Sequence, residues 1–170
     1  MAQSITANIK LNVGAVLTEP LDIGTASHNL DFIKAFAFGN GSGANQAEQM
    51  FTDRRTLAAS ASENLDLAGV LTNAFGTNLA FDTIKALVIC AAKENTNDVV
   101  IGGHATAACA SLFGDATDTV RVKPGGMVAF VAPDASGYGV TAGTADILKV
   151  ENGGAGTVIT YGIIIIGTVA

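Results

Sequence analysis

The sequence has few charged residues. Asp, Glu, Lys and Arg make up only 14% of its 170 residues, and 49% are hydrophobic, whereas an ordinary soluble domain is about 25% charged. A compact 17.1 kDa chain keeps roughly 7,800 Å² accessible. Two neighbours in a ring, at about 800 Å² per partner for each contact, would cover about a fifth of that area. We therefore expect self-association; the alternative is a monomer rich in Gly, Ala, Ser and Thr.

Clustered basic residues and exposed aromatic platforms are also missing. The net charge is −6, Trp is absent and only two Tyr occur, while binding to nucleic acid needs basic grooves and stacking rings. No nucleic-acid partner is therefore expected. The only adjacent basic pair, Arg54 and Arg55, follows Asp53 and predicts a strand end or a local salt bridge.

Long apolar runs and cysteine motifs are absent too. The four isoleucines at 163–166 fall far short of the roughly 20 residues of a membrane helix, so no membrane partner is expected and the run predicts a strand buried on both faces. The first residues lack the basic start and apolar stretch of a secretory signal, which favours synthesis in the cytoplasm. Cys90 and Cys109 lack Cys-x-x-Cys spacing, and we expect reduced, buried thiols.

Short alternating segments dominate the rest of the chain. Residues 5–13 alternate strictly and predict a half-buried strand, and 30–38 form a second apolar segment in which Phe32, Phe36 and Phe38 share a face. Gly-rich turns recur about every 8 to 15 residues. The pattern predicts an all-β, jelly-roll-like sandwich of about eight to ten strands. It forms one domain, 1–170, in which 1–40 is a strand-containing arm that packs on the core or on a neighbour.

Two local features complete this interpretation. Residues 44–51 are the only stretch that resembles a helical turn. Residues 56–67 alternate as a single strand, with Glu63 on its apolar face, which predicts a bulge or a strand end there.

No set of residues supports catalysis, so we expect neither an enzyme nor a cofactor. His28 and His104 lie in polar or Gly-rich segments without a neighbouring acid, and a pairing of His104 with Cys109 is only conceivable. Asp115 and Asp118, with Asp134 and Asp146 further on, fit tight turns or, alternatively, a calcium site. Tyr138 is the one candidate for stacking on a sugar.

Several segments resemble small virion structural proteins of tailed bacteriophages, of the capsid decoration or cement type. They are residues 41–47, 51–61, 65–69, 71–76, 114–118, 124–126 and 131–138. The resemblance covers most of the chain and implies a non-enzymatic building block of the virion that is made in the host cytoplasm.

From this resemblance we expect a decoration protein that binds the assembled shell at the capsid surface and stabilises it. Its partners would be the major capsid protein and further copies of itself, most simply in a trimer. The alternative is a tail or head-fibre accessory that binds host glycan. The candidate subunit contacts are Ile5, Ile9, Phe36, Phe38, Met50, Phe51, Arg54 and Arg55.

Overall fold

The computed structural model describes residues 3–169, which are almost entirely β-structure. The longer strands are β1 (Ala7–Pro20), β2 (Thr25–Asn40), β4 (Gln49–Leu57), β5 (Ser62–Asp66), β8 (Phe81–Ala91), β9 (Val99–Gly102), β10 (Thr119–Val122), β11 (Met127–Val131), β13 (Ile147–Asn152) and β14 (Ile159–Val169). The two-residue strands are β3 (Gln46–Ala47), β6 (Leu71–Thr72), β7 (Asn78–Leu79) and β12 (Tyr138–Gly139). A short 3-10 turn spans Ala110–Leu112.

Two sheets form the body, one of five strands and one of four. Sheet I has the order β11-β8-β14-β4, with β12 also paired to β8, and sheet II has the order β10-β9-β13-β5. All pairs within them are antiparallel. One buried apolar cluster takes side chains from both sheets, such as Leu87, Ile163 and Ile165 of sheet I and Ile101 and Val150 of sheet II. The predicted all-β, sandwich-like fold is confirmed.

The number of strands exceeds the prediction because four of them have only two residues; the other ten agree with it. The predicted helical turn at 44–51 is wrong. There β3 pairs in parallel with the end of β2, and β4 pairs with β14. Backbone pairing to these neighbours outweighs the modest helical propensity of Ala and Gln.

The single strand predicted at 56–67 is also wrong. Its alternating residues belong to β4 and β5, which lie in different sheets and are separated by a turn in which Ser60 has φ +56°. Small residues at 58–61 suit a turn as well as a strand. Glu63, the second residue of β5, confirms the predicted strand end.

The N-terminal segment forms a long hairpin, the arm, made of β1 and β2. Their register runs without interruption from Ala7 opposite Phe38 to Pro20 opposite Thr25. At about 3.4 Å per residue the arm is roughly 45 Å long. The predicted domain limits include residues 1, 2 and 170, which lie outside the described part of the chain.

Candidate interaction surface

The arm has one apolar and one mixed face. Directly opposed residues of an antiparallel pair point to the same side, so the register places Ile9 with Phe36 and Val13 with Phe32 on a single face. That face continues toward the end of the hairpin with Ala15, Leu17 and Leu30. The opposite face is mixed: it carries polar residues such as Asn8, Asn12 and Asn29 together with Val16 and Ile33. The predicted grouping of Phe32, Phe36 and Phe38 is confirmed.

Among residues 3–169, only the base of the arm is packed against the body. There Phe38 is buried with Ala47, Ala86 and Ile166. Half-buried apolar residues of the arm and of the segment just before it surround this contact: Ile5, Ala7, Ile9 and Phe36. Ala86 and Ile166 are neighbours across β8 and β14 on the outer face of sheet I, so the arm is anchored on the side of sheet I that faces away from the core.

Beyond its base the arm is uncovered. The predicted half-buried strand at 5–13 is wrong at its far end, where Leu11 and Val13 are 53% and 40% exposed. The described chain exposes 9320 Å², about 1,500 Å² more than a compact monomer of this mass. Two contacts of about 800 Å² each would cover that excess.

The outer face of sheet I also stays apolar where the arm does not cover it. The register aligns Ala129 with Val88, and Val88 with Ile164. Ile164 is 40% exposed and Met127 62%, so the prediction that the isoleucine run is buried on both faces is wrong at Ile164. The exposed Cys90 shares this face, and the prediction of two buried thiols is wrong for it.

Between the arm and this face lies a groove with a volume of about 660 Å³. Its walls are formed by the arm residues Ile9, Lys10, Leu11, Phe32, Lys34 and Phe36 and by the β11 residues Met127, Ala129 and Val131. The Lys34 ammonium lies 5.3 Å from the centroid of the Phe36 ring. The groove therefore combines apolar walls with Lys34; Lys10 also borders it, although the register places its side chain on the opposite face of the arm.

The predicted contact residues fall into three groups. Ile5, Ile9 and Phe36 lie at the base of the arm, half-buried, and the last two line the groove. Met50 and Arg54 are exposed on β4. Phe38 and Phe51 are 1% and 4% exposed, which corrects the prediction for these two residues: their side chains pack within the chain, so they offer almost no surface to a neighbour.

Arg55, the last predicted contact, is held by its own chain. Its guanidinium donates to Asp53 and Glu63, and Glu63 also accepts a hydrogen bond of 2.7 Å from the hydroxyl of buried Tyr161. The hydrogen bond to Glu63 raises the pKa of Arg55, and burial raises the pKa of Tyr161 far above its usual range. The predicted local salt bridge is confirmed for Arg55.

Sequence reasoning missed a buried lysine. Lys85 has no exposed surface, and its ammonium donates hydrogen bonds of 2.6 Å to the carbonyls of Asp134 and Ala135. It sits where the register between β8 and β14 shifts, a bulge that redirects a side chain. The loop that supplies these carbonyls passes close to β8 at Gly137. A Cβ on Gly137, which has φ +59°, would lie 2.8 Å from the carbonyl oxygen of Ile84. The sequence signal for this buried site is that Lys85 is the single charged residue within the apolar run 84–91 of β8.

The residues considered for catalysis or metal binding are either distant from one another or form hydrogen bonds within turns. His28 is exposed in β2, not in a turn, and His104 accepts from the amide of Ala107. The Cys109 thiol contacts Ser111 and the Gly139 carbonyl, and burial raises its pKa. Within residues 3–169 no group of at least three His, Cys, Asp or Glu side chains is arranged to hold a metal ion.

The aspartates considered for calcium bind their own loops. Asp115 accepts from the amide and hydroxyl of Thr117, and the bond from the amide is the main cause of its lowered pKa. Asp134 accepts from Gly137 and Ser136 in the same way, with a lowered pKa. Asp146 is buried and accepts from the amide of Gly143. These contacts match the predicted role of Asp in tight turns.

Tyr138, the sugar-stacking candidate, is half-buried against the core. Its ring meets Phe130 edge-on, with centroids 6.3 Å apart. A separate cleft of about 380 Å³ lies beside β4 and is lined by several polar residues, among them Asp53, Asn64 and Asn73. This cleft is smaller than the groove beside the arm, which has a volume of about 660 Å³.

Across residues 3–169, no helix has both the length and the apolar character needed to cross a membrane.

Comparisons with known proteins add no further constraint on this surface. Searches against family descriptions, curated proteins and solved structures found no match, so the interpretation of the arm and groove rests on their geometry and chemistry.

Proposed function

We propose that this protein is a non-enzymatic structural component of a tailed-phage virion, a decoration protein that binds the outside of the assembled capsid and stabilises it. The observation that carries the proposal is the uncovered apolar arm together with the exposed outer face of sheet I. A chain that leaves about 1,500 Å² more surface exposed than a compact monomer is suited to contacts with other subunits.

The order of the strands supports the kind of scaffold that such a role would use. Reading β4, β5, β8, β9, β10, β11, β13 and β14 in chain order, successive strands occupy sheets I, II, I, II, II, I, II and I. We infer a jelly roll from this alternation, since eight antiparallel strands in two sheets with this crossing pattern are typical of that fold. Jelly rolls occur widely in virion proteins, so this topology favours a virion protein, although the same fold also serves other functions.

Self-association and capsid binding would act together. Many weak contacts on a symmetric shell add up, because each bound copy raises the effective concentration of the next contact. A trimer is the simplest ring that gives every copy two neighbours. The partners of each copy are then other copies of this chain and the major capsid protein.

The decisive experiment uses particles assembled without this protein. We expect them to release DNA at a lower temperature than complete particles and to regain the original temperature when purified protein is added back. The control is the same protein with Val158→Ser, a change at a residue that is 58% exposed and lies outside the arm and groove. It should restore the particles fully.

The opposite result would identify another role. Particles that lack the protein, release DNA at the same temperature as complete ones and fail to adsorb to host cells would contradict capsid stabilisation. They would favour the alternative, a tail or head-fibre accessory that binds glycan. The polar cleft beside β4 supports that alternative, because amides and carboxylates such as Asn64, Asn73 and Asp53 can bind sugar hydroxyls.

A further inference from the structure

The far end of the arm, the last part of β1 and the turn after it, is unusually apolar for an uncovered hairpin. Its most exposed apolar residues are Val16, Leu17, Leu21 and Ile23, which are 66%, 72%, 56% and 95% exposed. Turns are usually polar, and apolar groups in them gain nothing from contact with water. We call residues 16–24 the arm tip. Four large apolar side chains at the tip point to a contact that the isolated chain does not make.

The tip also carries charge of one sign. Residues 11–33 contain Glu19, Asp22 and Asp31 and no Lys or Arg. The groove has the opposite character, because Lys10 and Lys34 lie among its lining residues, which include no acid. Within the described residues neither lysine takes part in an ion pair. Tip and groove are therefore complementary both in charge and in their apolar surfaces.

The sizes agree as well. A cavity of about 150 Å³ accepts a benzene molecule, so the groove of 660 Å³ has room for about four side chains of that size. The tip offers three on one side, Leu17, Leu21 and Ile23, because Val16 points to the opposite face of the strand from Leu17. Its approach would also cover Met127, a groove residue that is 62% exposed.

A chain cannot fill its own groove with its own tip. The groove reaches Phe32, which pairs with Val13, and the paired strand continues to Pro20 without a break in register. At about 3.4 Å per residue, the tip begins roughly 10 Å beyond the groove and the hairpin end lies roughly 25 Å beyond it. Gly14 is the only glycine between these two points, and the continuous pairing to β2 prevents the hairpin from folding back.

We propose that the arm tip of one copy inserts into the groove of a second copy. The contact is head-to-tail, so every copy donates one tip and accepts one, and it closes into a ring when the rotation between copies allows. This inference rests on the self-association in the proposed function and adds which surfaces meet. The alternative occupant, the capsid protein, is an outcome of the test.

Two variants separate the donor from the acceptor. The tip variant, Leu21→Ser with Ile23→Ser, changes only exposed residues at the hairpin end. The groove variant, Met127→Glu with Ala129→Glu, places acids where the acidic tip would arrive. Both sites are exposed, so both variants should keep the circular dichroism spectrum of the wild type. The control remains Val158→Ser.

Sedimentation velocity then gives the assembly state of each protein. We expect the wild type and Val158→Ser to form the same ring, and each double variant to dissociate at concentrations at least about 100-fold higher than the wild type does. A mixture of the two variants retains one intact tip and one intact groove, and should give a one-to-one heterodimer. No heterodimer, or a tip variant that assembles like the wild type, would overturn the inference.

Exchanging the charges tests the complementarity directly. Glu19→Lys with Asp22→Lys, or Lys10→Glu with Lys34→Glu, should each weaken assembly. The four changes together should restore at least half of the loss. Failure of the combined variant to recover would show that tip and groove do not meet.

Capsid binding distinguishes this inference from the broader proposal. A monomeric wild type whose tip variant no longer protects particles would place the tip on the capsid protein, which overturns the inference and retains the decoration role. Rings that depend on the tip, together with particles that lack the protein and are as stable as complete ones, would support the inference and contradict the decoration role.

Discussion

Replacing Glu63 by Ala should destabilise the body of the protein more than any change at an exposed ion pair. Tyr161 has no exposed surface, and its hydroxyl donates to Glu63 over 2.7 Å. Without that acceptor the buried hydroxyl is left without a partner, which costs about 1–3 kcal/mol. Arg55 loses one partner but is 32% exposed and keeps Asp53, so its loss adds only about 0–1 kcal/mol.

The total is about 1–4 kcal/mol, centred near 2 kcal/mol. For a chain of this length each kcal/mol lowers the melting temperature by about 2–4 °C, so we expect a decrease of roughly 4–8 °C. Calorimetry at one protein concentration measures it, because assembly makes the melting temperature depend on concentration. Glu63→Gln keeps an acceptor for Tyr161 and should lose about half as much.

The matched control is Glu151→Ala. Glu151 pairs with Lys149 over 2.6 Å and is 41% exposed, and an exposed pair of this kind contributes about 0–1 kcal/mol. If Glu63→Ala and Glu151→Ala lower the melting temperature equally, the buried hydroxyl does not depend on Glu63 and the reasoning fails.

Two further predictions concern ionisation and thiol reactivity. Because burial raises the pKa of Tyr161, the folded state keeps a proton that the unfolded state loses above about pH 10. The stabilisation is complete below that pH and falls above it by about 1.4 kcal/mol per unit; equilibrium unfolding should show this contribution in the wild type and not in Tyr161→Phe. Alkylation followed by mass spectrometry should modify exposed Cys90 in the folded protein and buried Cys109, whose pKa burial raises, only after unfolding; equal rates for the two would contradict the burial of Cys109.

Alternation along the sequence predicts which residues share a face, but not whether anything covers that face. The shared face of Phe32, Phe36 and Phe38 follows from their spacing alone. Their exposure differs greatly, because Phe38 packs on sheet I while Phe32 is 50% exposed along the free arm. The same limit explains Ile164, which belongs to an apolar run yet faces outward beside Val88.

Contacts between distant segments explain the other differences. The bond from Tyr161 to Glu63 joins strands of different sheets, and nothing near Glu63 in the sequence indicates it. Lys85 is buried because residues 134 and 135 turn their carbonyls toward it. The groove likewise needs the base of the arm and β11 side by side, which no local pattern specifies.

The position of β14 between β4 and β8 has a consequence for synthesis on the ribosome. Leu57 pairs with Ile159, so β4 leaves the ribosome long before its only neighbour in sheet I exists. At 5–20 residues per second the delay is roughly 5–20 s. Throughout that time β4 presents unpaired backbone groups, and an apolar arm has already emerged ahead of it. A nascent chain of this design is exposed to mispairing with other nascent chains, so its yield in cells should depend on chaperones that bind early and release late.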